Sequence, residues 1–355
     1  MKYPVLLSAD QVITTLDTFD SIIDVRSPAE FAIDHIPGAI NCPVLDDSER
    51  ATVGTIYKQQ SPFEARKIGA ALVAKNIATH LEAQCHGKPK DWKPLIYCWR
   101  GGNRSGSMAL IFAKIGWPVA QLDGGYKAYR HSVTEVLEQL PLALQFRVIC
   151  GTTGSGKSRL LHYLAEAGAQ VLDLEQLAAH RGSVLGGLPL HPQPSQKMFE
   201  TRLWDALRRF TTDRVVYVES ESKKIGDLRV PDALMNQIRN SPCVRLELSN
   251  EHRVRLLMED YPHLLNDIQK LKSLLSHLVQ LHGHDKIRRW HAMAEAGDMP
   301  KLVEALLEEH YDPAYLRSIE KNFVGYRNAS VVNLSGIDGT SFVASANQLI
   351  EAGYH

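Results

Sequence analysis

Cys98 stands six residues ahead of Arg104 in the run Tyr97-Cys98-Trp99-Arg100-Gly101-Gly102-Asn103-Arg104-Ser105. A thiol at the end of an apolar run, followed by two glycines and an arginine, has the pattern of an anion-binding loop. Backbone N–H groups of a glycine-rich turn converge to form an anion nest. A helix that follows adds the positive end of its dipole. Arg104 can hold an oxyanion through two parallel hydrogen bonds. All of these favour the thiolate, the reactive form of cysteine. Cys98 is therefore expected to be a catalytic nucleophile and Arg104 its anion-holding partner. Trp99, Arg100, Gly101, Gly102, Asn103 and Ser105 are expected to form the cradle.

A second constellation follows. Gly151-Thr152-Thr153-Gly154-Ser155-Gly156-Lys157-Ser158 matches G-x-x-x-x-G-K-[ST]. Backbone amides of such a loop cradle phosphates, Lys157 reaches the terminal phosphates, and Ser158 can ligate Mg²⁺. An acid at the end of a later strand usually completes the metal site. Glu219 ends the run Val215-Val216-Tyr217-Val218-Glu219 and is assigned with Ser158 to the metal, with Asp173 as a competitor. No tightly bound cofactor is expected beyond a Mg²⁺ ion compatible with this loop. The motif calls for a diphosphate or triphosphate; a kinase, an ATPase and a transferase that releases diphosphate all satisfy it.

For either loop to work, a strand must deliver it and a helix must follow it. Residues 21–25, 95–97 and 119–122 read as short apolar strands, and 105–115 are apolar at helical spacing, ending at Gly116. Ser27-Pro28-Ala29-Glu30 has the form of a capping box with proline at the first helical position. These alternations predict an α/β domain over 1–130. Residues 131–145 read as a connecting helix and linker. Residues 146–150, 170–174, 214–219, 243–248 and 330–334 predict strands separated by helical segments, the order of a parallel sheet, in a P-loop domain over 146–355. Within it, about 251–325 reads as a helical insertion, with Leu264, Ile268, Leu271, Leu275 and Leu278 at helical spacing and Asp312-Pro313 opening a further helix.

Composition excludes several classes. Forty basic residues balance forty acidic ones, so any nucleic-acid contact must come from a local patch rather than from net charge. The five cysteines, at 42, 85, 98, 150 and 243, are odd in number and contain no C-x-x-C pair, which argues against a disulfide framework or a zinc site and for the cytoplasm. No signal peptide and no membrane span are expected.

The first domain resembles the rhodanese family. Beyond the cysteine loop, the likeness lies in Asp24-Val25-Arg26-Ser27-Pro28-Ala29-Glu30-Phe31, His35-Ile36-Pro37-Gly38-Ala39-Ile40 and Leu122-Asp123-Gly124-Gly125. It implies a rhodanese-like N-terminal α/β domain whose loop cysteine carries sulfur or selenium. Many small rhodaneses have one residue fewer between Cys and Arg. The longer spacing here is that of rhodanese-like phosphatases and favours a donor bearing a phosphate.

A rhodanese-like domain followed by a P-loop domain is an uncommon pairing, and the chain as a whole resembles the tRNA 2-selenouridine synthase family. Pro43–Arg50, Val53-Gly54-Thr55-Ile56-Tyr57, Ser61–Arg66, His180-Arg181-Gly182-Ser183, Gln193–Lys197 and Val218–Gly226 carry that likeness beside the two loops. It implies a transferase acting on wobble 2-thiouridine in tRNAs for lysine, glutamate and glutamine. Sulfur is first alkylated by geranyl diphosphate. The S-geranyl group is then replaced by selenium from selenophosphate through a selenium atom carried on Cys98. The diphosphate would leave from the P-loop, and an enzyme supplying selenophosphate is a partner to expect. For the tRNA itself, Arg253, Arg255, Lys286, Arg288 and Arg289 in the helical insertion are the basic candidates, with Arg317 and Lys321 beyond them. Trp99 either stacks on the base or packs the loop. Two alternatives stay open. One is a rhodanese-type tRNA sulfurtransferase with ATP-dependent activation; the other is a phosphatase–kinase fusion that binds no RNA.

Overall fold

The computed structural model describes residues 3–182, 186–187 and 192–352. The chain divides into two compact units. One comprises residues 1–136 with 194–205, the other 137–193 with 206–355. The first strand series is β1 (Val5–Leu7), β2 (Ser21–Asp24), β3 (Ala39–Asn41), β4 (Pro94–Tyr97) and β5 (Ala120–Leu122). These form one sheet in the order β1-β5-β4-β2-β3, and every pairing is parallel. All four residues of the central β4 are buried, because helices cover both faces of a parallel sheet. The core on one side is Ile23, Ile96, Met108 and Phe112 with Trp92 and Trp117. The two indoles meet edge to face at 5.0 Å between centroids.

Strand β2 leads to helix Pro28–Ile33, and the capping box expected at Ser27 and Glu30 is formed. Between β3 and β4 lies a hairpin of two helices, Asp47–Gln59 and Pro62–His80, each opened by a side-chain cap, Asp46 or Ser61. Helix Asn103–Ile115 follows β4 and stops at Gly116, which takes a left-handed conformation. Residues 194–205, which come late in the sequence, belong to this first unit. Ser195 Oγ donates to the Ile33 carbonyl and Trp204 packs edge to face on Tyr129.

The second series is β6 (Phe146–Cys150), β7 (Gln170–Leu172), β8 (Val216–Glu219), β9 (Lys224–Ile225), β10 (Leu228–Arg229), β11 (Pro242–Glu247) and β12 (Gly325–Asn333). Strands β9 and β10 make a small antiparallel hairpin. The rest form a parallel sheet, β12-β11-β6-β8-β7, with β6 at its centre. Helix Lys157–Glu166 packs Leu160, Leu161 and Leu164 on Ile149, Val244 and Phe342. From Asn250 to Asn322 the chain is helical with short breaks. This insertion has its own core, built on Leu271, Leu275, Leu278, Trp290, Leu302 and Leu306. No helix among the described residues is long and apolar enough to cross a membrane.

Candidate active sites: a cysteine loop and a phosphate loop

Cys98 follows the last residue of β4 and is 3 % exposed. Ser105 Oγ donates to its sulfur at 3.2 Å and in turn receives Gln121 Nε2 at 3.1 Å. Gln121 also donates to the Gly101 carbonyl at 2.9 Å, so one amide side chain ties the glycine turn to the first turn of the helix. The backbone of the next turn closes it from outside: Tyr126 N–H donates to Cys98 O and Lys127 N–H to Trp99 O. That closeness is why glycine is required at 125. A Cβ there would lie 2.3 Å from Cys98 O and from Gly101 N, at a φ of +60°. Among the described residues, the amides of Trp99, Arg100, Gly102 and Asn103 donate to no backbone or side-chain acceptor. They line the start of helix Asn103–Ile115, where an anion is favoured.

A buried ion pair frames this loop. Asp24 accepts from the Arg26 backbone N–H and from its guanidinium at 2.6–3.0 Å. Arg26 also donates to the Asp34 carbonyl at 2.6 Å and lies 4.0 Å over the Tyr126 ring. Tyr126 OH donates to the Asp34 carboxylate at 2.7 Å. Trp99, half-buried, packs on the same tyrosine at 5.3 Å. Of its two expected roles, the structure therefore displays the packing one. Arg104 does not fold back over the loop. Its Nη1 is 3.1 Å from Glu30 Oε2, which also takes Arg50 Nε at 2.9 Å. Burial would push the Glu30 carboxyl up, but the charge and hydrogen bond of Arg104, with Arg50, outweigh it and hold the carboxyl below the usual range. Cys42 is no second nucleophile. Its thiol is buried, donates to Gln84 Oε1 at 3.2 Å, and is pushed up to about 12, first by burial and then by Cys85 and Asp24.

The phosphate loop leaves β6 and turns into helix Lys157–Glu166. Gly156 caps that helix at a φ of +87°, and a Cβ on it would meet the Phe342 ring at 2.8 Å. Lys157 Nζ donates to the Gly151 carbonyl at 2.7 Å. The helical insertion grips the loop at two points. Arg253 donates twice to the Thr153 carbonyl, at 2.8 and 3.0 Å, and pairs with Asp312 through both its terminal nitrogens. Tyr315 OH receives Gly151 N–H at 2.7 Å, touches Ser220 Oγ at 3.0 Å, and sets its ring 5.6 Å from Lys157 Nζ. A cavity of about 870 Å³ opens over the loop, and Ser158, Glu175, Glu221, Tyr261 and Tyr315 are among its walls.

The acids are arranged differently from the sequence-based expectation. Ser158 Oγ donates to Glu175 Oε2 at 3.0 Å, not to Glu219. Glu219, 1 % exposed, accepts the Glu175 backbone N–H at 2.9 Å; its Oε2 has no hydrogen-bond partner among the described residues. Asp173 caps helix Leu174–Ala178 by accepting from Gln176 N–H. Among the described residues no three His, Cys, Asp or Glu side chains meet so as to hold a metal by themselves. Mg²⁺ asks for less, since it keeps waters and shares oxygens with substrate phosphates. The Ser158 hydroxyl beside Glu175, with a bare carboxylate oxygen on Glu219 behind, fits such an ion.

Crowding raises these carboxyls. Burial first, then Glu221, pushes Glu175 up to about 8 from its ordinary 4.5. A carboxyl raised in the folded state binds its proton more tightly there than in the unfolded chain. It contributes stability that is complete below 4.5 and is lost as pH rises through about 8. Without added metal, thermal stability is expected to fall across that window, and Glu175→Gln is expected to flatten the fall. Adding Mg²⁺ should restore stability at the alkaline end, because it favours the ionised carboxylate. A melting-temperature series over pH checks this, and equal slopes for wild type and variant would refute it.

The basic candidates of the insertion divide. Arg253 is 4 % exposed and serves the phosphate loop from inside, so it presents no surface to RNA. Arg255 is exposed. Lys286 and Arg289 both pair with Glu309, and Arg288 pairs with Asp285. Arg181, in the segment His180-Arg181-Gly182-Ser183, donates to the Asp260 carbonyl and lies 4.8 Å from the Tyr261 ring. Ser183 lies outside the described residues. Glu175 and Tyr315 had no local signal in the sequence, and neither the helix start at Asp312 nor the Val218–Gly226 run that holds Glu221 pointed to a place at the loop, because each is brought there from a distant element.

A cysteine loop on one parallel sheet and a P-loop on another define a rhodanese-like domain joined in one chain to a P-loop domain. Residues 8–132 match the rhodanese-like domain, and residues 144–328 match the family described as the tRNA 2-selenouridine synthase AAA domain. The tRNA 2-selenouridine synthase of Marinobacter nauticus is 32 % identical over 323 residues, 83 % of this chain and 87 % of that one. Those of Shewanella denitrificans and Nitrosomonas europaea are 39 % and 37 % identical, covering 72 % and 68 % of this chain and 68 % and 63 % of their own lengths. The chain belongs to the tRNA 2-selenouridine synthase family.

Proposed function

We propose that this chain is a transferase that converts wobble 2-thiouridine of tRNA to 2-selenouridine in two steps, one at each loop, in the cytoplasm. In the first, the thiocarbonyl sulfur attacks the allylic carbon of geranyl diphosphate. An S–C bond forms, the C–O bond breaks, and diphosphate leaves. Lys157 and the amides of Gly154, Gly156 and Ser158 would take its charge, as preorganised donors do for a developing anion. A Mg²⁺ ion held by Ser158 and Glu175 would add Lewis-acid stabilisation of the same oxygens. In the second step the P–Se bond of selenophosphate breaks, its phosphoryl group passing to water as phosphate; selenium forms a bond to C2, and the C2–S bond breaks with geranylthiol leaving. The tRNAs for lysine, glutamate and glutamine are the proposed substrates, and the enzyme that makes selenophosphate the proposed supplier.

The observation that carries the reading is the pairing, in one chain of this family, of a cysteine loop with free amides and a glycine-rich phosphate loop whose Lys157 stands at a large cavity. The net exchange is redox-neutral, because selenium enters and sulfur leaves at the same oxidation level. Carriage of selenium on Cys98 therefore removes two electrons when the S–Se bond forms and needs them back when it breaks, a task for a small dithiol–disulfide couple. The C-x5-R spacing supports a second route that needs no such couple: the Cys98 thiolate attacks phosphorus, the P–Se bond breaks, the released hydrogen selenide attacks C2, and water hydrolyses the phosphocysteine. Nucleoside mass analysis of thiolated tRNA incubated with the protein, geranyl diphosphate and selenophosphate tests the whole reading. Absence of both the geranyl adduct and selenium would refute it. The isotope pattern of the Cys98 adduct, selenium or phosphoryl, separates the two routes.

A further inference from the structure

A small apolar pocket of about 60 Å³ adjoins the phosphate-loop cavity. Thr153, Leu257, Tyr261 and Tyr311 line both, so the two spaces share a wall. Polarity falls along the way. At one end lie Lys157, Ser158 and Glu175; at the junction, two tyrosines; and beyond them the walls include Leu264, Leu271, Leu302 and Leu306. These leucines come from the helical insertion, and all four are buried. We propose that this pocket receives the hydrocarbon tail of a prenyl diphosphate whose head lies on the phosphate loop. The proposal rests on the reading that the loop takes such a diphosphate, and deepens it by naming the tail site.

A nucleotide base does not suit the same place. A purine carries ring nitrogens and an exocyclic group, and walls of leucine would leave them without hydrogen bonds, at a cost in affinity. A branched hydrocarbon has nothing to satisfy and gains with every buried carbon. The loop apex is coupled to the pocket: Arg253 holds the Thr153 carbonyl, and a Cβ on Gly154 would touch Leu257 at 2.9 Å. Helix Met299–Leu306 forms one wall and offers the half-buried Val303, and Leu265 lines the pocket at the end of helix Pro262–Leu265.

The experiment is competition binding against labelled inorganic diphosphate in the full chain. The competitors are inorganic diphosphate, the five-carbon dimethylallyl diphosphate, ten-carbon geranyl diphosphate and ATP. Wild type is expected to prefer geranyl over dimethylallyl diphosphate by roughly tenfold or more. Val303→Trp and, separately, Leu265→Trp fill the pocket from partly exposed positions. In each the preference is expected to shrink to about threefold or less, with inorganic diphosphate bound within about twofold of wild type. A preference undiminished in a folded variant overturns the tail site alone. No preference in wild type, or ATP bound most tightly, overturns the prenyl reading beneath it as well. If one variant does not fold, the other decides.

Discussion

Cys98→Ala is expected to abolish selenium incorporation, by on the order of 10³-fold or more, while S-geranylation of the same tRNA proceeds at close to the wild-type rate. The magnitude is that of removing a nucleophile, for which the surrounding cradle cannot substitute. Selectivity follows from placement. Cys98 follows β4 on the sheet of the first unit, where it is hydrogen-bonded to Ser105 Oγ and to the backbone of the 124–127 turn. The residues assigned to diphosphate departure belong to the second unit. The variant removes a small buried group, costing about 1 kcal/mol, so a melting curve identifies a general loss of fold. Arg104→Lys is the companion measurement. It keeps a cation beside Glu30 but loses the planar fork, and a fall of about 10²-fold in selenation is expected. If Cys98→Ala loses geranylation in a folded protein, the division of labour between the loops is wrong.

The mirror-image result is expected for Lys157→Ala. Geranylation should fall by about 10²- to 10³-fold, the scale of losing one preorganised donor to a leaving anion. Selenation of tRNA that already carries the S-geranyl group should persist. Lys157 donates to Gly151 O and moderates the carboxyls of Glu175 and Glu221, both raised first by burial. Removing it takes away a charge that favours the ionised carboxylates, so the variant is also expected to melt lower at alkaline pH. Liquid chromatography of the nucleosides, with pre-geranylated and plain thiolated tRNA in parallel, reads both halves. Undiminished geranylation in the variant would remove the phosphate loop from the reaction.

Much of this was legible in the chain itself, for a local reason. A strand–glycine loop–helix unit is encoded within about twenty residues by backbone requirements, and both loops stand where their motifs placed them. Gly156 is a case in point: its left-handed φ admits few other residues, and the motif names it. The strand runs were readable because parallel strands buried on both faces are short and continuously apolar. The N-cap of helix Pro28–Ile33 was readable because capping is a four-residue affair.

What the sequence determined by itself, then, was the place of the two glycine-rich strand–loop–helix units, the family likeness, the α/β class and the existence of a helical insertion. What only the tertiary structure decided was which distant side chains serve those loops. Arg253 had the look of a surface cation, yet burial against Thr153 O and Asp312 makes it a strut of the phosphate loop. Glu175, separated from the loop by a helix and a strand, displaces Glu219 as the partner of Ser158. Glu30 takes Arg104, and residues 194–205 join a unit whose other residues all lie before 137. The apolar pocket beside Thr153 is built from helices about a hundred residues further on. The physical reason is common to all of them. Backbone conformation is set by neighbours in the chain, whereas burial, ion pairing and cavity shape are set by neighbours in space, and no periodicity in the sequence records those.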